Sequence, residues 1–254
     1  MHVIAIGVQR DLDFAAKDAA DFADLFAKQA NAKNRLFETV NIHRLLGLGA
    51  TKTDIEKTVE RLVVKQKLGE IKSNDLVVLF LSSHGYMLDQ RFFIQGNDYD
   101  PTAKLATSVD YQAQILDRLD GLNCKKLIFI DACHSGGIKG AKDSGADPAD
   151  VNLAIVELNR VKNSLVTITS SREEEASYEN KAWQNGSFTE AILEGLGNGK
   201  ADADGNKIVT LTELYKFLDA RVPQLVSLIL KKPQHPRIVP GLKDLRDIPL
   251  FVTN

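Results

Sequence analysis

The chain has only two cysteines, one tryptophan, two methionines and seven prolines in 254 residues. Two cysteines, Cys124 and Cys133, cannot build the disulfide framework on which small secreted domains depend. A reducing, cytoplasmic setting is therefore expected, and it would also keep a thiol available for chemistry. No apolar run is long enough to span a bilayer. The opening Met1-His2-Val3-Ile4-Ala5-Ile6-Gly7-Val8 is too short for a signal h-region and has no basic n-region. An excess of either charge is missing as well: 32 Lys and Arg against 34 Asp and Glu leave a formal −2. That balance argues against nucleic-acid or membrane partners. Internal repeats and low-complexity tracts are also absent. What remains, 44% hydrophobic and 26% charged, is the composition of a soluble globular protein. Its length suits one large α/β domain or two smaller ones.

Strand-like and helix-like segments alternate, which predicts a mostly parallel sheet of about six strands flanked by helices. Strands are expected at residues 2–8, 39–46, 75–81, 126–130 and 164–169. Ala15, Ala19, Phe22 and Phe26 recur at helical spacing. Thr53 with Glu56 has the form of a capping box ahead of Ile55, Val59 and Leu62, and Thr210 with Glu213 forms another. Further helices are expected at 108–119 and 187–196. The glycine-rich residues 138–150 suit a loop, either a tolerated insertion or an activation segment.

Two strand ends carry the chemistry. Leu76-Val77-Val78-Leu79-Phe80-Leu81 runs into Ser82-Ser83-His84-Gly85, and Lys126-Leu127-Ile128-Phe129-Ile130 runs into Asp131-Ala132-Cys133-His134-Ser135-Gly136-Gly137. Open α/β sheets place reactive groups just beyond such ends. A thiol is only slightly ionised at neutral pH and needs a base, for which His84, 49 residues before Cys133, is the candidate. The backbone N–H groups of Gly85 and Cys133 are the candidate oxyanion hole. His134 is the weaker base, because adjacent side chains on an extended chain point to opposite sides. Cys124, with no motif around it, suits a buried structural role.

Asp131-Ala132-Cys133-His134-Ser135-Gly136 resembles the Asp-x-Cys-His-Ser-Gly motif of the metacaspase and bacterial branch of the caspase family (peptidase C14, clan CD). That family's general signature sets the histidine about 50 residues before the cysteine. Asp18-Ala19-Ala20-Asp21-Phe22-Ala23 resembles the family's first-helix motif, and Ser82-Ser83-His84-Gly85 its Ser-Gly-His-Gly, with Ser83 in place of a glycine. Ser177-Tyr178-Glu179 and Gly186-Ser187-Phe188-Thr189 are similar to later blocks. The resemblance runs through nearly the whole chain and implies one caspase-like peptidase domain over residues 1–254. It implies a cysteine endopeptidase with Cys133 as nucleophile and His84 as base. It also implies an S1 pocket of Asp131, Asp18 and Ser82 that selects protein or peptide substrates with Arg or Lys before the cut. Two carboxylates in one pocket favour a guanidinium or ammonium over an aspartate. A regulatory, cell-death or defence role, self-processing and an upstream activating protein are in keeping with it.

Two alternatives to that reading stand: a catalytically silent caspase-like scaffold, or another clan CD peptidase of separase-like or CHAT-type specificity. The loop from Asp202 to Glu213 sets Asp202, Asp204, Asn206 and Glu213 at positions 1, 3, 5 and 12 of an EF-hand-like pattern. Calcium for activation is one reading of it. A plain turn is the other, since Lys207 stands where glycine is usual and Glu213 already serves the capping box. No cofactor is required for the chemistry itself. Trp183, in a polar stretch, suits either a substrate subsite or packing over the sheet edge.

Overall fold

The computed structural model describes residues 1–132, 165–172, 175–244 and 247–253. Its centre is a six-stranded sheet of β1 (His2–Gly7), β2 (Asn41–Leu46), β3 (Leu76–Ser83), β7 (Lys125–Ala132), β8 (Leu165–Thr169) and β12 (Arg237–Val239). They lie in the order β12-β8-β7-β3-β1-β2, with β12 antiparallel to β8 and the others parallel. The predicted sheet is therefore present, and the sixth strand, the antiparallel one, is the member the sequence had not located.

The inner strands are buried on both faces, which is why β3 is apolar without alternation. Period two still sorts their side chains. Val78 and Phe80 of β3 and Leu127 and Phe129 of β7 face α1 (Ala15–Ala27) and the helices after β8. Val77, Leu79, Leu81, Ile128 and Ile130 face α2 (Lys52–Lys67). Phe22 of α1 is fully buried, its ring 4.6 Å from Phe80 and 5.3 Å from Phe129. Burial of such a side chain stabilises by about 1.5–3 kcal/mol, enough to fix the height of α1 over the strand ends.

One helix start matches expectation and two others do not. The cap of α2 is Thr51, whose hydroxyl accepts the Asp54 N–H; Thr53 and Glu56 lie inside the helix. The Thr210 and Glu213 capping box is present at the head of the helix Leu211–Leu230. The helix expected at 108–119 begins only at Tyr111, because Ser108–Asp110 forms a strand, β6, with β5 (Arg91–Gln95). β5 also pairs with β4 (Gly85–Leu88), so a small antiparallel sheet grows from the end of β3. α1 itself has no side-chain cap at Phe14.

Candidate active site

β3 and β7 stay in register to their ends: Ser82 pairs with Asp131 and Ser83 with Ala132. The next residue along one chain is His84, and along the other Cys133. Cys133, His134 and residues 138–150 lie outside the described residues. His84 is half-buried at the junction of β3 and β4, and its carbonyl accepts the Gln95 N–H at 2.9 Å. Ser83, where the family pattern has glycine, is buried, and its hydroxyl donates to the Gln95 carbonyl at 2.8 Å and the His84 carbonyl at 3.1 Å. The hydroxyl thus fastens the histidine-bearing turn to β5. Ala or Gly there would lose that tie.

Gly85 has a packing reason. A β-carbon on it would stand 2.3 Å from the Phe92 ring, so only glycine lets β4 lie against β5 here. Since His84 and Gln95 form a hydrogen-bonded rung, the next pair, Gly85 and Ile94, is the non-bonded kind, and the Gly85 N–H turns away from β5.

Period two carries Ser82 and Asp131 to the α1 face, one step beyond Phe80 and Phe129. There they meet α1. Asp131, Ser82 and Asp18 are all essentially without exposure. The three predicted pocket residues are thus brought to one face. Among the described residues the Ser82 hydroxyl has no hydrogen-bond partner. Asp18 accepts the Gly186 N–H through both oxygens, at 3.0 and 3.2 Å. A β-carbon on Gly186 would come 2.8 Å from Asp131 Oδ2 and 3.2 Å from Asp18 Oδ2, so the two carboxylates converge on the space this glycine leaves open. Burial first, and the Asp131 charge second, hold the Asp18 carboxyl well above its ordinary value.

Four further residues frame the pair, and sequence reasoning had given none of them a role. Glu179, in β9 (Glu179–Asn180), accepts the N–H groups of Asp13 at 3.0 Å and Phe14 at 3.2 Å. It therefore supplies from a distant segment the cap that α1 lacks, one turn before Asp18. Burial, ahead of the Asp13 and Asp131 charges, raises its carboxyl, and the two N–H bonds oppose that rise. Ser177 donates to Asp131 Oδ1 at 2.7 Å. Behind it stands Gln234, fully buried. Its amide nitrogen donates to Ser177 Oγ at 3.2 Å and the Ser170 carbonyl at 3.0 Å; its oxygen accepts from Tyr178 N–H and Ser187 Oγ. Gly186, in β10 (Asn185–Gly186), closes the group. Ser177, Glu179 and Gly186 lay inside blocks quoted for their resemblance, whereas Gln234 had no local signal at all.

Elsewhere the expectations divide. Cys124 is buried, and burial pushes its thiol up, as suits an inert core residue. Trp183 packs against the α1-side core. In the Asp202 loop, oxygens of Asp202, Asp204 and Glu213 lie within 4.8 Å of one another. Much of their capacity is already used. Glu213 accepts from Ala203, from the Thr210 N–H and from the Thr210 hydroxyl; Asp204 accepts from Asn206, and Asn206 from Ile208. Burial would raise the Glu213 carboxyl, but those hydrogen bonds outweigh it and the net shift is downward. The set fits a cation in part: Asp202 Oδ1 is buried without a partner among the described residues, while the expected bidentate ligand is committed to the helix cap.

A mostly parallel six-stranded sheet of this order, flanked by helices, is the fold of a caspase-like, clan CD peptidase-like domain. The family model of the caspase domain, Peptidase C14, matches residues 3–244, and the chain belongs to that family. Protein GSU0716 from Geobacter sulfurreducens superimposes with a TM-score of 0.58 at 15% identity, over 99% of this chain and 98% of that one. The structure of pro-sf-caspase-1 aligns over 94% of this chain and 86% of that one, at 15% identity and a TM-score of 0.49. At such identity the first likeness speaks for the fold alone. No curated protein matches the chain.

Proposed function

We propose that the chain is a cysteine-type endopeptidase of the metacaspase-like branch that cuts after Arg or Lys. The observation that carries this is the convergence of the Asp18 carboxylate and that of Asp131, two residues before the proposed nucleophile, on the space beside Gly186. A buried pair of carboxylates is costly to keep unless a cation completes it. A P1 guanidinium would meet both, and an aspartate would be repelled. In the proposed reaction His84 takes the thiol proton and the Cys133 sulfur attacks the scissile carbonyl carbon. The oxyanion is held by the Gly85 and Cys133 N–H groups. The intermediate expels the amine, which His84 protonates, and water then releases the acyl group. A silent scaffold would have no use for both reactive residues. Fluorogenic peptides ending in Arg or Lys are expected to be cleaved and those ending in Asp not; the reverse order would overturn the pocket.

To this reading belongs a regulatory cation. Calcium held by Asp202 and Asp204, with Asn206 and Glu213 beside them, would brace the turn before β11 (Ile208–Thr210). No step of the cleavage passes through it. Calorimetric titration of calcium is expected to give saturable heat with the wild type and none with Asp204→Ala. Negligible heat from both proteins would leave a plain turn.

A further inference from the structure

At the far end of the sheet, α2 leaves part of the edge strand uncovered. His2 and Ile4 of β1 and Asn41 and His43 of β2 are paired across the ladder, and period two turns all four toward α2. On the helix, Thr58, Arg61, Leu62 and Lys65 share the facing stripe at i, i+3, i+4 and i+7. Nearer the strand ends this interface is apolar, closed by Leu45, Ile55 and Val59. Here it opens instead into a cleft of about 250 Å³.

Its lining is chemically one-sided. Ile4 and Leu62 give it an apolar floor, while His2, His43, Arg61 and Lys65 bring two imidazoles and two cations. No carboxylate is among the lining residues. Lys65 is engaged by Glu70 at 3.1 Å, outside the cleft. Arg61 makes no hydrogen bond or ion pair among the described residues. His2 is buried, and the ring of His43 is steadied by a contact of 3.2 Å between Nε2 and Thr58 Oγ1. Burial first, then the positive groups beside them, lowers both imidazoles. Arg61 acts on His43; on His2 the terminal ammonium acts most, opposed by Asp75, with a lesser push from Lys65 and a lesser opposing hydrogen bond from Glu70. Arg61 thus stands beside two imidazoles with no carboxylate in the lining of the cleft, and an anion would complete it.

We propose that this cleft between α2 and the edge of the sheet is a binding site for a small phosphate-bearing anion. The planar fork of Arg61 suits two oxygens of a tetrahedral group, and His2 and the one proton left over by the His43–Thr58 contact supply further donors. The volume admits a phosphoryl group with a small organic part, laid on Ile4 and Leu62. The site stands at the start of β1, about 16 Å from the end where Gly7 lies beside Ser82. It is therefore separate from the candidate active site and does not depend on the peptidase reading.

The test uses the full chain and pyrophosphate as probe, at pH 7 and constant ionic strength. Calorimetry is expected to show saturable one-to-one binding that weakens about tenfold or more in Arg61→Gln, the loss of one charge-assisted contact. Lys57→Gln, on the same helix but turned to solvent, is expected to bind as the wild type does. In the wild type, proton NMR is expected to show the His2 and His43 ring resonances moving on addition of pyrophosphate, with their titration displaced to higher pH. Absence of saturable heat, equal affinity in Arg61→Gln, or unmoved resonances would each overturn the site. Peptide hydrolysis by Arg61→Gln without pyrophosphate is expected to match the wild type.

Discussion

Cys133→Ala is expected to abolish peptide hydrolysis while leaving the melting temperature within a few degrees of the wild type. Loss of a peptidase nucleophile costs on the order of 10⁴-fold or more, because the remaining groups can position a substrate but cannot form the acyl intermediate. The fold should not notice, since Cys133 follows the last paired residue of β7 and the core is built from the strands behind it. His84→Ala is expected to fail differently. Without a base the thiol still ionises as the pH approaches its ordinary value near 8.5, so activity should partly return between about pH 7 and 9. The alanine at 133 has no such rescue. Fluorogenic assays across that range, with circular dichroism melts of all three proteins, separate the roles. Hydrolysis by Cys133→Ala at the wild-type rate would remove the mechanism.

The second large effect concerns the acidic pair. Asp131→Asn keeps the size of the side chain and a group for Ser177 to meet, but removes the charge. For Arg- or Lys-ending peptides kcat/KM is expected to fall about 100-fold or more, the scale of losing a buried charged partner. Gly186→Ala attacks the same pocket by volume, since its methyl would stand 2.8 Å from Asp131 Oδ2. Both variants should lose basic substrates without gaining acidic ones. A normal rate on Arg peptides in either would show that the basic residue binds elsewhere. Asp18→Asn adds a stability readout. The folded carboxyl is raised, so its charge opposes folding: the penalty is absent below the ordinary value near 4 and complete above the raised one. The variant is therefore expected to melt higher than the wild type at pH 7, with the difference shrinking as pH falls toward 4. Scanning calorimetry at the two pH values checks it.

Much of this site is legible from local pattern. The runs at β3 and β7 are long and apolar because both faces are covered, and period two alone carries Ser82 and Asp131 onto the side where Asp18 waits. What surrounds the pair is not legible, because it comes from afar. Glu179 caps a helix that begins 164 residues earlier, where Phe14 offers no acceptor of its own. Gln234 gathers Ser170, Tyr178 and Ser187 through contacts that leave no periodicity behind. The short strands β4 to β6 escape for another reason. Tyr86-Met87-Leu88 and Phe92-Phe93-Ile94 are apolar runs on either side of Asp89-Gln90, whose positive φ values make a tight hairpin turn without the usual glycine or asparagine to announce it. The cap of α2 fell two residues early because Thr51 and Asp54 satisfy the same chemistry as Thr53 and Glu56, and nothing nearby decides between them.

The register between β7 and β8 has a consequence for molecular integrity. From Lys126 opposite Leu165 to Ile130 opposite Thr169, the two strands are neighbours inside the sheet, each also held by a partner on its other side. Residues 133–164 join them in sequence, but the ladder does not depend on that join. A backbone break among those residues would leave both fragments bound through the whole central sheet. The product would be a two-chain molecule joined through the β7–β8 ladder, with His84 and Asp131 on one fragment and Glu179, Gly186 and Gln234 on the other.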